Sequence, residues 1–199
     1  MTGGIGSGKT EAAKIFSQVS VPVIDLDDIA HQITQNNHPG YIALKECFGD
    51  KYLDKNSEII RNNLKKDIFN SEKVKKKVES ILHPLIFDEC KKQISQYKTE
   101  EYIVIVIALL FETQNYLELI DESLYIDCEK KLQITRVASR DKLEKNLIQA
   151  IIKAQSPREQ KIKQADRIIS NNLSKIILKS NILQYHNELM AKLVNTKND

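Results

Sequence analysis

The sequence predicts an α/β fold built on a buried parallel sheet. Short β-rich runs alternate with long stretches of helical periodicity, the pattern of strands joined by helical crossovers. The run at residues 102–107, YIVIVI, is apolar without alternation, as in a strand covered by helices on both faces. Acidic residues close the β-rich run at 21–25, and ligands bind such sheets beyond the carboxyl ends of their strands.

The first element is a phosphate loop. Gly3-Gly4-Ile5-Gly6-Ser7-Gly8-Lys9-Thr10 fits G-x-x-x-x-G-K-[ST], and an amphipathic pattern through Ala12, Ala13, Ile15 and Phe16 follows it. Glycines let successive N–H groups turn inward toward phosphate oxygens, and the positive end of the next helix adds to that field. Lys9 is expected to reach the β- and γ-phosphates, and the Thr10 hydroxyl to hold Mg²⁺. A strand normally precedes such a loop, yet only Met1 and Thr2 stand before the glycines. The first, central strand is therefore expected upstream of Met1. Without it, neighbouring strands would lose backbone hydrogen bonds worth ~1 kcal/mol each.

The run at 21–25 places Asp25 and Asp27 at a strand's carboxyl end, where phosphoryl transfer needs a group to orient the attacking hydroxyl and accept its proton. Asp27 is the candidate for that role. Asp28 is expected to cap a helix starting near Ile29. Residues 31–98 exceed a simple crossover and read as a helical insertion, with a long helix from Ser71 carrying Val74, Val78, Ile81 and Leu82 on one side. Pro84 is expected to bend or divide it. Further strands are expected at 102–107, 123–127 and 167–170, a second helical excursion at 130–164, and a closing helix at 173–193.

Composition narrows the function. The chain has 199 residues and 41% hydrophobic content, enough for one core with an insertion. Its net charge of +3 names no partner. Lys65, Lys66, Lys73, Lys75, Lys76 and Lys77 crowd one helical stretch, which reads as a solvated face or an attractor for an anionic substrate. No aromatic residues interleave with them, so nucleic acid is not expected. Cys47, Cys90 and Cys128 are too scattered for a disulfide framework or a zinc site. No apolar run approaches the ~20 residues of a membrane helix, and no signal-peptide layout opens the chain, so a soluble, cytoplasmic protein is expected.

In this order the motifs resemble the dephospho-CoA kinase family. The resemblance rests on TGGIGSGKT at 2–10, VIDLD at 23–27, Phe48-Gly49, Arg61 with Leu64, LHPLI at 82–86, ALLFE at 108–112, the arginines of the second excursion and ADRIISN at 165–171. It implies a P-loop NTPase three-layer α/β fold with a parallel sheet, a helical substrate-binding insertion and a helical lid. The whole chain would be one kinase domain: core 1–30, 99–129 and 165–199, insertion 31–98, lid 130–164. It implies transfer from ATP, with Mg²⁺, to the 3′-hydroxyl of dephospho-CoA, by a monomer or weak oligomer.

The residue roles follow from the same resemblance. Asp27, Lys9 and Arg140 would be catalytic. Gly4, Ile5, Gly6, Ser7, Gly8, Lys9, Thr10, Glu11, Arg140, Arg158 and Asn171 would bind ATP, with Asn172 an alternative to Asn171 beside the adenine. Asp25, Asp27, His83, Leu110 and Glu112 would meet the acceptor, although His83-Pro84 equally suits a packed histidine at a helix kink. Arg136 also lies in the lid and fits a helix face, and Asp166 could be a structural cap. Ala108 stands where the family often has proline, and Glu11 where threonine is more usual. Glu11 still offers its backbone N–H to the α-phosphate. A nucleoside or nucleotide kinase would share loop and lid, but Arg61, HPLI and the long insertion suit an acceptor with an extended tail. A nucleotide switch would need DxxG and NKxD, and neither is present. An inactive homologue is suggested only by the missing strand.

Overall fold

The computed structural model describes residues 1–113 and 115–196. The chain forms two compact units, one of Met1–Ile24 with the chain from Tyr97 onward, the other of Asp25–Gln96.

In the first unit, β1 (Thr2–Gly3), β4 (Leu124–Asp127) and β5 (Arg167–Ser170) form a parallel sheet in the order β1-β4-β5. Thr2 lies opposite Tyr125, and Leu124 opposite Arg167. A second pair joins β2 (Val23–Asp25) to β3 (Val104–Val106). Met1 links the two: its nitrogen donates to Ile105 O at 2.6 Å, and Ile107 N donates to Met1 O at 2.9 Å. The first strand, expected upstream of Met1, is thus present as Thr2–Gly3. Thr2 and Gly3 pair with β4, Met1 bonds to the β3 segment through its main chain, and Met1 is only 5% exposed.

Val104 to Ile107 are all buried, as their unbroken apolar run requires, although the strand itself is shorter than the run. α1 (Lys9–Gln18) and α9 (Lys175–Thr196) pack together over this sheet. Ala12, Ile15 and Phe16 of α1 meet Leu178, Ile182 and Tyr185 of α9 in one core with Val106, Ile126 and Ile169. The second excursion folds as α6 (Lys130–Asp141), α7 (Lys145–Lys153) and α8 (Arg158–Gln164). α6 ends where Lys142 turns left-handed (φ 53°), and Pro157 caps the start of α8.

The second unit contains α2 (Leu26–Ile33), α3 (Pro39–Phe48), α4 (Arg61–Asn70) and α5 (Glu72–Ile94). Ser71 caps α5, its hydroxyl accepting from Val74 N at 3.3 Å. Pro84 lies inside α5; of the bend or division expected of it, division does not occur. The lost hydrogen bond and ring clash cost ~3 kcal/mol, but α5 packs on α2, α3 and α4, and tertiary packing stabilises most helices. Val78 joins Leu44, Tyr52 and Leu64 in its core, flanked by Val74, Ile81 and Leu82. The six clustered lysines are all exposed. No described helix is long and apolar enough to cross a membrane.

Candidate active site

The loop between β1 and α1 is shaped by glycines in left-handed, crowded positions. Gly6 and Gly8 take φ of 69° and 102°, which side chains disfavour. A Cβ on Gly8 would lie 2.2 Å from Asn171 Nδ2, and one on Gly6 would lie 2.7 Å from Val137 Cγ2. Gly8 caps α1 through its backbone, with Ala12 N donating to Gly8 O at 2.9 Å. The start of α1, the positive end of its dipole, therefore lies at the loop, where an anion would be favoured. Lys9 arches back over it, Nζ donating to Gly3 O at 2.7 Å and Gly4 O at 3.2 Å. Thr10 is exposed and Glu11 pairs with Lys175 at 3.4 Å.

A polar floor braces the loop from behind. Asn171 is 6% exposed, and its Nδ2 donates to Ser7 O at 2.7 Å. The side chain expected beside the adenine is thus spent on the loop itself. Arg136 donates to Asn171 O at 3.0 Å and to Cys128 Sγ at 3.3 Å. Gln133 donates to Cys128 O at 3.2 Å, and Asn172 Oδ1 accepts from Glu129 N at 2.8 Å. Cys90 and Cys128 are buried free thiols, and burial pushes the Cys90 thiol up to about 11.

The turn between α7 and α8 meets the sheet's carboxyl edge. Ser156 N donates to Glu112 Oε1 at 2.7 Å, and buried Lys161 pairs with the same oxygen at 3.3 Å. Arg158 forks onto Asp127 at 2.7 and 2.6 Å. Asp127, at the end of β4, is 4% exposed, so this bidentate pair satisfies a carboxylate that burial would otherwise penalise. An open cavity of about 520 Å³ lies beneath the turn, lined by Gly4, Tyr125, Gln133, Gln155, Arg158 and Lys161 among others. The Arg140 guanidinium forks onto neighbouring Asp141 at 2.7 Å twice and is largely exposed. Leu110 is 1% exposed, its side chain packed in protein.

Asp166 has a structural task. It accepts from Ser123 Oγ at 2.6 Å and Ser123 N at 2.8 Å, tying the start of β5 to the start of β4. The Ser123 hydroxyl, then its backbone N–H, hold the Asp166 carboxyl below the usual carboxylate range. A depressed folded-state pKa stabilises above the unfolded value and ceases to do so as pH falls through the folded one. Asp166→Ala is expected to lower Tm by roughly 2–4 °C at neutral pH. In urea titrations at several pH values, the gap between wild type and variant should stay constant above about pH 5 and narrow below about pH 4.

In the second unit, Asp25 is both the last residue of β2 and the cap of α2, accepting from Asp27 N at 2.9 Å. The helix therefore begins at Leu26, and Asp28 lies inside its first turn instead of capping it. An extended Asp25 (φ −105°, ψ 120°) can end a strand and cap a helix at once, which moves the boundary back from Ile29. Asp27 is exposed on that first turn. Arg61, expected to favour a long acceptor, donates to His31 O at 3.1 Å and Thr34 Oγ1 at 3.0 Å, closing the carboxyl end of α2. His83 is half-buried on α5.

Sequence reasoning passed over Asp127, Gln155 and Lys161. Asp127 carried the signal applied to Asp25, an acidic residue at a strand's carboxyl end. Gln155 and Lys161 carried none, since their partners lie far away in the chain.

A glycine cradle between a parallel strand and a helix, with a lysine folded over it and arginines on an adjoining helical segment, defines a P-loop kinase. The chain belongs to the dephospho-CoA kinase family, whose sequence model matches residues 1–176. It is 36% identical over 191 residues to the dephospho-CoA kinase of Nitrosospira multiformis, spanning 96% of this chain and 95% of that one. With the dephospho-CoA kinase of Coxiella burnetii it shares 38% over 186 residues, spanning 94% and 93%. The crystal structure of TT1252 from Thermus thermophilus superposes with a TM-score of 0.82 at 26% identity, covering 94% of this chain and 95% of that one. The dephospho-CoA kinase of Campylobacter jejuni gives 0.69 at 29% identity, covering 94% of each. The enzyme is accordingly a transferase that uses ATP.

Proposed function

We propose that the chain transfers the γ-phosphoryl group of ATP to the 3′-hydroxyl of dephospho-CoA, in line and without a covalent enzyme intermediate, releasing coenzyme A and ADP. The glycine cradle opening onto the start of α1 carries this reading, because its converging N–H groups match the charge of a triphosphate. The loop from Gly4 to Glu11 holds the phosphates, with the Ile5 amide itself held by Gln155, and the Lys9 ammonium neutralises charge at the β- and γ-positions. Asp27 orients the acceptor hydroxyl and takes its proton. Asp25, His83 and Glu112 serve the acceptor, and Arg140 and Arg158 the triphosphate. Thr10 fits Mg²⁺: an exposed hydroxyl at the start of α1 is a hard oxygen donor, and Mg²⁺ commonly takes few protein ligands beside phosphate oxygens. When bound, the ion would supply neutralisation of phosphate charge. The enzyme would work in the cytoplasm as a monomer or weak oligomer.

The test is coupled ADP release with dephospho-CoA, AMP and nucleosides offered separately. Turnover with dephospho-CoA at least tenfold above the others is expected. Preference for AMP or a nucleoside would move the chain to another acceptor, and failure to bind ATP would remove the reading altogether.

A further inference from the structure

We propose that Gln155 is a positioning residue that ties the α7–α8 turn to the phosphate loop, setting the Ile5 amide and the Arg158 side chain in register with one another. The proposal deepens the reading above, since it assumes that the loop holds a triphosphate.

The observation is a row of contacts from one short turn. Gln155 Oε1 accepts from Ile5 N at 3.2 Å, Ser156 N donates to Glu112 at 2.7 Å, and Arg158 forks onto Asp127 at 2.7 and 2.6 Å. Residues 155–158 thus touch the loop after β1, the segment after β3 and the end of β4. The contacts at Glu112 and Asp127 tie the turn to the segment after β3 and to the end of β4. The contact at Ile5 alone reaches the loop that binds phosphate.

Local chemistry suits a positioning role better than simple packing. Gln155 is half-buried and borders the cavity, so its truncation opens space that water can enter. A carboxamide oxygen satisfies the Ile5 N–H without putting a negative charge beside a triphosphate. Gly4 makes the approach feasible: a Cβ there would stand 3.4 Å from Gln155 Oε1 and 2.7 Å from Gln133 Nε2. Gln133 is itself held by Cys128 O, so Gly4 lies between a fixed glutamine of α6 and the glutamine of the turn. Movement of the turn is therefore passed to the loop through a hydrogen bond, and movement of the loop is passed back to Arg158.

Two variants and two readouts test this. In the protein without nucleotide, Gln155→Ala is expected to speed Ile5 amide hydrogen exchange about five- to tenfold, the loss of one hydrogen bond. Gln155→Glu keeps an acceptor oxygen and should restore protection. In steady-state assays Gln155→Ala should raise KM for ATP about tenfold with Tm nearly unchanged. Gln155→Glu should raise KM further, because its carboxylate repels the triphosphate. Unchanged Ile5 exchange in Gln155→Ala would overturn the tie. Faster exchange with unaltered KM for ATP would overturn the positioning role. A wild-type protein that fails to bind ATP would defeat the functional reading, and the exchange experiment would still decide whether Gln155 holds the loop.

Discussion

Asp27→Asn is expected to lower turnover with dephospho-CoA by about 10²–10⁴, the range for losing a positioned general base. The substitution is nearly isosteric and leaves the helix start alone. It is the Asp27 backbone N–H that bonds to Asp25, so the cap of α2 survives the change. The side chain is exposed, and its loss should leave Tm within about 1 °C. KM for ATP should stay within about threefold, because the groups proposed to hold the triphosphate are elsewhere in the chain. Steady-state kinetics with ATP and acceptor varied in turn, alongside thermal melts, separates these quantities. Turnover within twofold of wild type would take Asp27 out of the chemistry.

Lys9→Ala is the second large effect, an expected loss of about 10²–10³ in kcat/KM for ATP, comparable to removing one preorganised charge-stabilising donor. The ammonium is directed by the loop itself, through bonds to Gly3 O and Gly4 O at 2.7 and 3.2 Å. Its removal takes away both a phosphate partner and a tether across the loop. The loss should be equal for every acceptor, which distinguishes it from a change in acceptor recognition. Calorimetric titration with ATP and with ADP is the complementary check, and affinity for both should fall.

What was legible in the sequence was local. The phosphate loop stood out because all its groups lie within a few residues, and the strand at 102–107 because burial on both faces leaves an unbroken apolar run. The central strand was not legible, since the two residues Thr2–Gly3 are too few to show any period. The cap of α2 was misplaced because an aspartate ending a strand was not credited with starting the helix as well. Pro84 misled for the opposite reason: its local penalty is real, but packing of α5 outweighs it.

Within the site, pairings distant in sequence were the hidden part. Glu112 was singled out as a charged candidate, but nothing along the chain indicated that Ser156 and Lys161 would engage it. Asn171 was placed near nucleotide by resemblance, while its buried side-chain amide donates to Ser7 O and its backbone oxygen accepts from Arg136. Arg140 was ranked ahead of Arg158 among the lid cations, yet it pairs with its neighbour Asp141 while Arg158 pairs with a buried carboxylate.

The crowding of Gly8 against Asn171 changes how mutational data from this region should be interpreted. Even alanine there would demand a disfavoured backbone angle and displace the amide supporting Ser7. Inactivation at that glycine would accordingly report mechanical failure of the scaffold, independent of how strongly any phosphate is gripped. Thr10, whose side chain faces solvent, is where affinity can be altered while the architecture stays whole.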